Sequence, residues 1–158
     1  MKKRITSTYF IILVLILSII ITAYTYLSDV DAVLNVYAEI ETIDSINPKF
    51  TSAIIVFTIN ISNPSPREIS DLSSTFNVFI EENYIGKGSF SKTTIKPESN
   101  VYHKTNLTVY YSGLADASID IIKNWVNEKE SKLIIKGNMT AKILFGLIET
   151  SQSFIASS

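Results

Sequence analysis

The residues that most often carry chemistry in proteins are sparse in this chain. His103 is its only histidine, and it contains no cysteine. A chain without cysteine has no disulfides, thiolate metal sites or cysteine nucleophiles. A catalytic imidazole needs a nucleophile and an orienting group, and no such sequence context accompanies His103. We therefore expect a non-catalytic protein in which His103 is a hydrogen-bonded imidazole on the inward face or at the end of a strand.

Two pairs of carboxylates are candidate cation or charge sites. Asp116 and Asp120 are four residues apart, so a helix places them on one face. Two carboxylates can hold a cation, but the spaced ligand loop that calcium requires is absent from the sequence. Helix capping and a solvated face account for both residues, so we expect neither a metal nor a cofactor. The adjacent Glu81 and Glu82 are interpreted as the charged tip of a hairpin.

Glycosylation is another kind of chemistry that the sequence offers. Asn60, Asn106 and Asn138 each begin an Asn-x-Ser/Thr sequon, the acceptor for N-glycosylation in exported segments. A chain rich in Asn, Ser and Thr produces such sequons by chance, so their number is weak evidence. All three asparagines fall on the polar face of strand-like segments, where a glycan can be accommodated. They are candidate glycosylation sites, and the alternative is an ordinary polar outer face.

Tyrosines offer the material for a binding surface. Tyr37, Tyr84, Tyr102, Tyr110 and Tyr111 lie in or beside strand-like segments, and side by side they could contact sugar or lipid. Tyrosines on the outer face of an antiparallel sheet are also ordinary cross-strand packing partners. The sequence leaves both interpretations open.

An apolar segment precedes all of these residues and indicates where the protein works. Residues 9–27 form an uncharged apolar run of about 19 residues, which nearly crosses a hydrocarbon core of about 30 Å. Basic residues precede the run and Asp29 and Asp31 follow it, so we expect the N-terminus in the cytoplasm and the rest of the chain outside. The basic residues are Lys2, Lys3 and Arg4. Tyrosines lie near both ends, at the expected level of the head groups: Tyr9, Tyr24 and Tyr26.

Three interpretations of this run compete. A buried globular helix normally keeps a polar stripe, and this run has none. A cleaved signal peptide would find a processing site at Val30-Asp31-Ala32, but the run is longer than the ~7–15 residues of a usual signal core. We favour the third interpretation, an uncleaved transmembrane anchor.

Alternation of apolar and polar residues predicts a mainly β domain after the anchor. A basic leader at 1–8, the transmembrane helix at 9–27 and a short polar joint at 28–32 precede this domain at 33–158. One helix is expected at 114–130, capped by Asp116 or Ser118. The expected strands are 33–42, 50–62, 69–81, 84–91, 100–111, 132–145 and 147–155, with turns at 44–48 and 82–83. This pattern predicts an antiparallel β-sandwich, Ig/fibronectin-like, with about seven strands and one helix.

Several short motifs follow one another in the outer domain. A long apolar strand ends in Asn63-Pro64-Ser65, and a hairpin carries Tyr-Ile-Gly-Lys-Gly at 84–88. Pro97 precedes the next strand, and the helix precedes a strand with Gly137 near its centre. This ordered set resembles the late embryogenesis abundant type 2 family, also called the water stress and hypersensitive response (WHy) domain, over roughly 33–154. Pro66 departs from the family pattern and stiffens that loop.

The resemblance implies a β-sandwich with one helix, often behind a membrane anchor. For the family, stress protection and binding of membranes, lipids or other proteins have been proposed, and no catalytic residues carry over. The matched residues serve the fold, because Asn63 and Pro64 end a strand. Gly86 and Gly88 predict a bulge or a close approach of another backbone.

Together these features predict a single-pass cell-membrane protein that presents a non-catalytic, LEA type 2-like sandwich outside the cell. Its expected partners are the bilayer, through residues 9–27, and envelope components, lipid or other proteins. The formal net charge of -1 argues against nucleic acid as a partner. The anchor and the sequons would suit an archaeal surface. The alternative is a pilin-like filament subunit, although Ile5 follows the basic residues where a pilin-type peptidase requires Gly or Ala.

Overall fold

The chain begins with one long helix, α1 (Lys2–Leu34), which contains the whole apolar run. The computed structural model describes residues 2–114, 116–128 and 132–158. The polar joint expected at 28–32 is not a break, because α1 continues through it. This segment holds no glycine or proline that would end a helix. Ala32 and Val33 are also buried against the domain that follows, which stabilises the last turns of α1.

The described part of the outer domain is an antiparallel β-sandwich of seven strands in two sheets, which confirms the predicted fold class. The strands are β1 (Tyr37–Pro48), β2 (Ser52–Asn63), β3 (Ile69–Ile80), β4 (Asn83–Ile95), β5 (Ser99–Tyr110), β6 (Leu133–Ile143) and β7 (Ile148–Ser157). One sheet has the order β1-β2-β5 and the other β4-β3-β6-β7. A 3-10 turn (Tyr111–Gly113) and the helix α2 (Asp116–Glu128) connect β5 to β6.

The core lies between the two sheets, because alternate side chains along each strand point to the same face. The inward row of the central strand β2 is fully buried: Ile55, Phe57, Ile59 and Ile61. Along the two sides of the sandwich, β4 lies against β5 and β1 lies against β7. Ile122 and Trp125 of α2 are buried in the same core. This helix is therefore part of the sandwich, as its apolar stripe predicts.

The boundaries of β1 differ from the sequence prediction. The strand expected at 33–42 begins only at Tyr37, and the turn expected at 44–48 is wrong because β1 runs on to Pro48. The pairing with β2 shifts register between Ile40 and Thr42 and between Ile43 and Ser45. The polar residues Glu41 and Asp44 are therefore bulged out of the ladder, and the strand continues past them. β1 is also the edge of its sheet, where a proline removes no ladder hydrogen bond.

The hairpin between β3 and β4 is displaced by one residue from its expected position. Ile80 pairs with Asn83, so the turn residues are Glu81 and Glu82 rather than residues 82–83. Both glutamates lie at the tip, as predicted, and Glu81 has a left-handed backbone with φ 56°. β4 extends to Ile95, beyond the expected end at residue 91.

Glycines adapt the second sheet to one large side chain. The pairing of β3 with β4 skips Ile85 between Tyr84 and Gly86, which confirms the predicted bulge. Gly88 and Gly137 both pair with Phe76, one from each neighbouring strand. A Cβ atom on either glycine would overlap Phe76. The close approach predicted at Gly88 therefore involves an aromatic ring rather than a backbone.

Candidate functional site

The most distinctive surface of the molecule is the apolar helix α1. From Thr8 to Leu34 it is long and apolar enough to cross a membrane, and its most apolar window is not buried by the rest of the chain. A helix of this composition, exposed to water, would be strongly unfavourable. The apolar surface of α1 therefore needs an apolar environment that the rest of the chain does not provide.

The end of α1 is attached to the sandwich by the carboxylate of Asp29. Arg67, in the loop between β2 and β3, donates to Asp29 Oδ1 through both Nε and Nη2. The backbone N–H of Leu144, in the turn between β6 and β7, donates to Oδ2 at 3.1 Å. The Asp29 side chain is mostly buried and the Arg67 side chain is partly exposed, so water screens these charge-assisted bonds only in part. One carboxylate thus ties α1 to two loops, and we call this arrangement the Asp29 junction.

Apolar and backbone contacts reinforce the Asp29 junction. Ala32, Val33 and Val36 belong to the hydrophobic core of the sandwich. The side-chain amide of Gln152, on β7, donates to the carbonyl of Val36. The path from α1 into β1 is therefore packed and hydrogen-bonded along its length, unlike a flexible linker.

The motif Asn63-Pro64-Ser65 holds the loop that carries Arg67. The amide nitrogen of Asn63 donates to the carbonyl of Arg67 at 2.7 Å and to that of Lys96 at 3.0 Å. The side-chain oxygen Oδ1 of Asn63 accepts a hydrogen bond from the hydroxyl of Ser65 at 2.7 Å. The Ser65 hydroxyl oxygen in turn accepts one from the backbone N–H of Arg67 at 3.2 Å. This motif, interpreted from the sequence as a strand end, also fixes the cation of the Asp29 junction.

The turn after β6 combines a left-handed backbone with exposed apolar side chains. Leu144 and Phe145 have φ values of 50° and 59°, a region that bulky residues rarely adopt, and Gly146 follows with φ 82°. Phe145 is 88% exposed and Leu147 is 78% exposed. The side chains of Phe145 and Leu147 therefore do not contribute to the core.

A crevice of about 370 Å³ lies between α1 and these two loops. Its cationic side chains face acidic partners within the crevice. Arg67 binds Asp29, and Lys142 lies 3.8 Å from Asp71. Glu68 also lines the crevice, so three carboxylates stand against two cations and one negative charge is left over. Since the other four charges are paired, the crevice has the character of a packed junction.

His103 lies where the sequence places it, on the inward side of β5 and half-buried. Its ring stacks on Phe90 of β4, with ring centroids 4.9 Å apart and planes at 12°. Burial lowers the pKa of His103, because desolvation disfavours the charged imidazolium. Nε2 is buried and has no hydrogen-bond partner among the described residues, so the predicted hydrogen bond is not seen at this atom. The arrangement is that of a packing residue where the two sheets meet.

The acidic pairs do not form a site among the residues that the structure describes. Asp116 begins α2 and Asp120 lies one turn later, and both side chains are exposed. No group of three or more His, Asp or Glu side chains that could hold a metal occurs in the described ranges. The side chain of Ser118, the other cap considered, lies outside the described part.

The three sequon asparagines lie on outward faces of the sandwich. Asn106 and Asn138 are exposed, and Asn138 accepts a hydrogen bond from the hydroxyl of Ser153 at 2.8 Å. Asn60 is only half-exposed on the central strand β2, between Glu39 of β1 and Tyr102 of β5. Its carboxamide oxygen is buried without a partner in the described part of the chain. All three asparagines point outwards from their strands, as predicted, and Asn60 is less accessible than Asn106 and Asn138.

The tyrosines do not form one surface. Tyr37, Tyr102 and Tyr110 are exposed on the β1-β2-β5 sheet at different heights. Tyr84 lies on the other sheet, edge-on to Phe79 with ring centroids 5.8 Å apart. Tyr111 is half-buried. Local packing is therefore seen for Tyr84, and the exposed tyrosines are distributed rather than gathered in one patch.

No family model and no curated protein matches this chain. A solution structure of an Arabidopsis thaliana protein has 16% identity and a TM-score of 0.51, over 80% of this chain and 77% of that one. A solution structure described as a late embryogenesis abundant (LEA) protein has 8% identity and a TM-score of 0.48, over 78% and 69% of the two chains. A crystal structure from Archaeoglobus fulgidus has 18% identity and a TM-score of 0.45, over 78% and 92%. At 16% identity, the likeness to the Arabidopsis thaliana structure concerns the fold alone.

Proposed function

We propose that this protein is a single-pass, membrane-anchored β-sandwich of the LEA type 2 kind that performs a non-catalytic binding or structural role at the outer cell surface. The observation that carries the proposal is the Asp29 junction. It joins an exposed apolar helix of membrane-spanning length to a polar sandwich through a buried carboxylate and core packing.

The rigidity of this junction supports a role in which orientation matters. A domain on a flexible linker samples many orientations and distances from the membrane. Here α1 enters the core directly, so the sandwich is held next to the bilayer with one end towards it. Such a display suits contacts with lipid, envelope components or another membrane protein. The basic residues before the apolar run support a cytoplasmic N-terminus.

The sequons fit this placement. Exposed asparagines at 106 and 138 lie on outward faces, where a glycan would not disturb the core. We propose that these two positions are modified before Asn60, whose side chain is partly covered. The intact mass of the protein extracted from its native membranes tests this. An excess over 17.7 kDa in sugar-sized steps supports modification, and loss of the excess in Asn106→Gln or Asn138→Gln assigns the site.

Cysteine labelling tests the topology, because the natural chain has no cysteine. Phe50→Cys and Lys3→Cys are made in the full-length protein, and intact cells are treated with a membrane-impermeant maleimide. The proposal expects labelling at position 50 without permeabilisation and at position 3 only after it. The reverse pattern, or release of the protein by a carbonate wash, would contradict the proposal. Assembly of the purified protein into filaments would instead support the pilin-like alternative.

A further inference from the structure

The turn between β6 and β7 lies at the same height as the end of the apolar run. The backbone N–H of Leu144 binds Asp29, and Asp29 is two residues beyond residue 27, where the run ends. Two residues of a helix correspond to ~3 Å along its axis. If α1 spans a bilayer as proposed above, this turn lies at the boundary between hydrocarbon and head groups.

A second contact shows which way the hairpin points. Val36, seven residues after Asp29, accepts a hydrogen bond from Gln152 of β7. The five helical residues from Asp29 to the end of α1 at Leu34 rise by ~8 Å, and two further residues lead to Val36. The four residues from Ile148 to Gln152 rise by ~13 Å along a strand. The hairpin of β6 and β7 therefore runs beside the last turns of α1, with its tip towards the apolar part of the helix.

The tip exposes residues that suit an interface with lipid rather than with water. Phe145 and Leu147 are nearly fully exposed, and the exposed Ile148 follows them. Leu144 and Phe145 also keep a left-handed backbone, which disfavours bulky side chains. Asparagine or glycine would suit this backbone better, so the fold of the turn does not account for a phenylalanine there.

The geometry points to the turn Leu144–Leu147 as a second membrane contact, in which Phe145 and Leu147 enter the head-group layer of the bilayer that α1 spans. This inference rests on the proposed function, because the bilayer is placed by α1. The contact would add to the anchor by fixing the tilt and rotation of the sandwich. An aromatic and an aliphatic side chain suit this layer, where apolar groups leave water without the turn crossing the membrane.

Phe50 provides a matched control within the same chain. It is 98% exposed in the turn between β1 and β2, at the end of the sandwich opposite the Leu144–Leu147 turn. Non-specific adsorption of an exposed phenylalanine to lipid would give a membrane contact at both positions. A membrane contact that depends on the geometry would affect Phe145 alone.

The test uses the full-length protein in vesicles of phosphatidylcholine and phosphatidylglycerol. Single cysteines at Phe145→Cys, Phe50→Cys and Leu17→Cys carry an NBD fluorophore, and lipids with a spin label near the head group or deep in the acyl chain act as quenchers. We expect a blue-shifted emission at position 145, quenched several-fold more by the shallow label than the emission at position 50. Position 17 should be quenched by the deep label.

The three positions separate the possible failures. Deep quenching at 17 together with a water-like signal at 145 overturns this inference and leaves the anchor intact. Equal shallow quenching at 50 and 145 also overturns it, since the contact would then not belong to the turn. An unquenched probe at 17 overturns the anchor and, with it, the inference.

A second variant separates membrane contact from folding. Phe145→Asn introduces a residue that tolerates the left-handed backbone and removes the aromatic ring. With the probe placed at Leu147→Cys, this substitution should reduce the shallow quenching several-fold while the sandwich remains folded. Unchanged quenching would overturn the role assigned to Phe145.

Discussion

Asp29 and Arg67 are 38 residues apart in sequence, and their side chains form a partly buried, hydrogen-bonded ion pair where α1 meets the sandwich. The pair makes the end of the long apolar helix part of the domain that follows it. Because Asp29 also binds the backbone of Leu144, the position of the β6–β7 turn is coupled to the same carboxylate.

Asp29→Asn should lower the free energy of unfolding of the sandwich by about 1–2 kcal/mol, the usual contribution of hydrogen bonds to a charged group. The effect is modest because the Arg67 side chain is partly exposed and can be hydrated when the charge is lost. Urea unfolding in detergent can be followed through Trp125, the only tryptophan and fully buried. Asp31→Asn is the control, since Asp31 is exposed. An equal loss in both variants would contradict the account.

Adjacent substitutions in the β6–β7 turn should have opposite effects on stability. Phe145→Asn should raise the free energy of unfolding by roughly 1 kcal/mol, because asparagine adopts a φ of 59° at a lower energy. Gly146→Ala should lower it by about 1 kcal/mol. Nothing lies within 4 Å of a Cβ placed at Gly146, so the loss there would come from the backbone alone. The same urea titration measures both, and a loss at position 145 would show that the ring has a packing role.

Replacement of the strand glycines by alanine should lower the free energy of unfolding by amounts that depend on which atoms the new methyl group overlaps. At Gly137 it meets the Thr75 carbonyl and the backbone of Phe76, and at Gly88 it meets the Phe76 ring. We expect losses of about 3 kcal/mol for Gly137→Ala and about 2 kcal/mol for Gly88→Ala.

Gly86→Ala is the internal comparison for this series. Its Cβ would lie 3.1 Å from a terminal carbon of Leu107, which can shift slightly. A loss of about 1 kcal/mol or less is expected there. A reversed order, with Gly86→Ala the most harmful, would show that the packing around Phe76 is not as described. Thermal unfolding of the full chain in detergent gives the order.

The pH dependence of stability should contain a contribution from His103. Its pKa in the folded protein lies below the ordinary value of 6.5 because burial disfavours the charged form. The unfolded chain therefore binds a proton first as the pH falls, so the stability present above pH 6.5 is lost below it and levels off below the folded pKa. His103→Gln should abolish this step in a titration from pH 8 to 5. A step of equal size in the variant would assign it to other groups.

The sequence predicted the strands well because alternation is a local signal. In β2, buried and less buried residues alternate as expected from the spacing of its isoleucines and Phe57. The errors lie where a local signal was overruled by tertiary structure. Asn47-Pro48 is a turn signal in isolation, but an edge strand accommodates it. Residues 28–32 have the composition of a polar joint, but α1 continues through them because Ala32 and Val33 are buried against the sandwich.

The Asp29 junction could not be predicted from sequence for the same reason. Its three partners are separated by 38 and 115 residues, and no periodicity or motif links them. The one available signal was that Asp29 is the first charge after the apolar run. The Asn63-Pro64-Ser65 motif was found, but its role in positioning Arg67 needed the loop geometry.

The rigid attachment of the sandwich to α1 can be measured by electron spin resonance in lipid nanodiscs. Spin labels at Tyr24→Cys, on the exposed face of α1, and at Phe50→Cys, at the far end of the sandwich, report the distance between the helix and the domain. A variant with a Gly-Ser linker inserted after Ser28 supplies the reference for free motion. The account predicts one narrow distance distribution for the natural junction. A distribution as broad as that of the linker variant would contradict it.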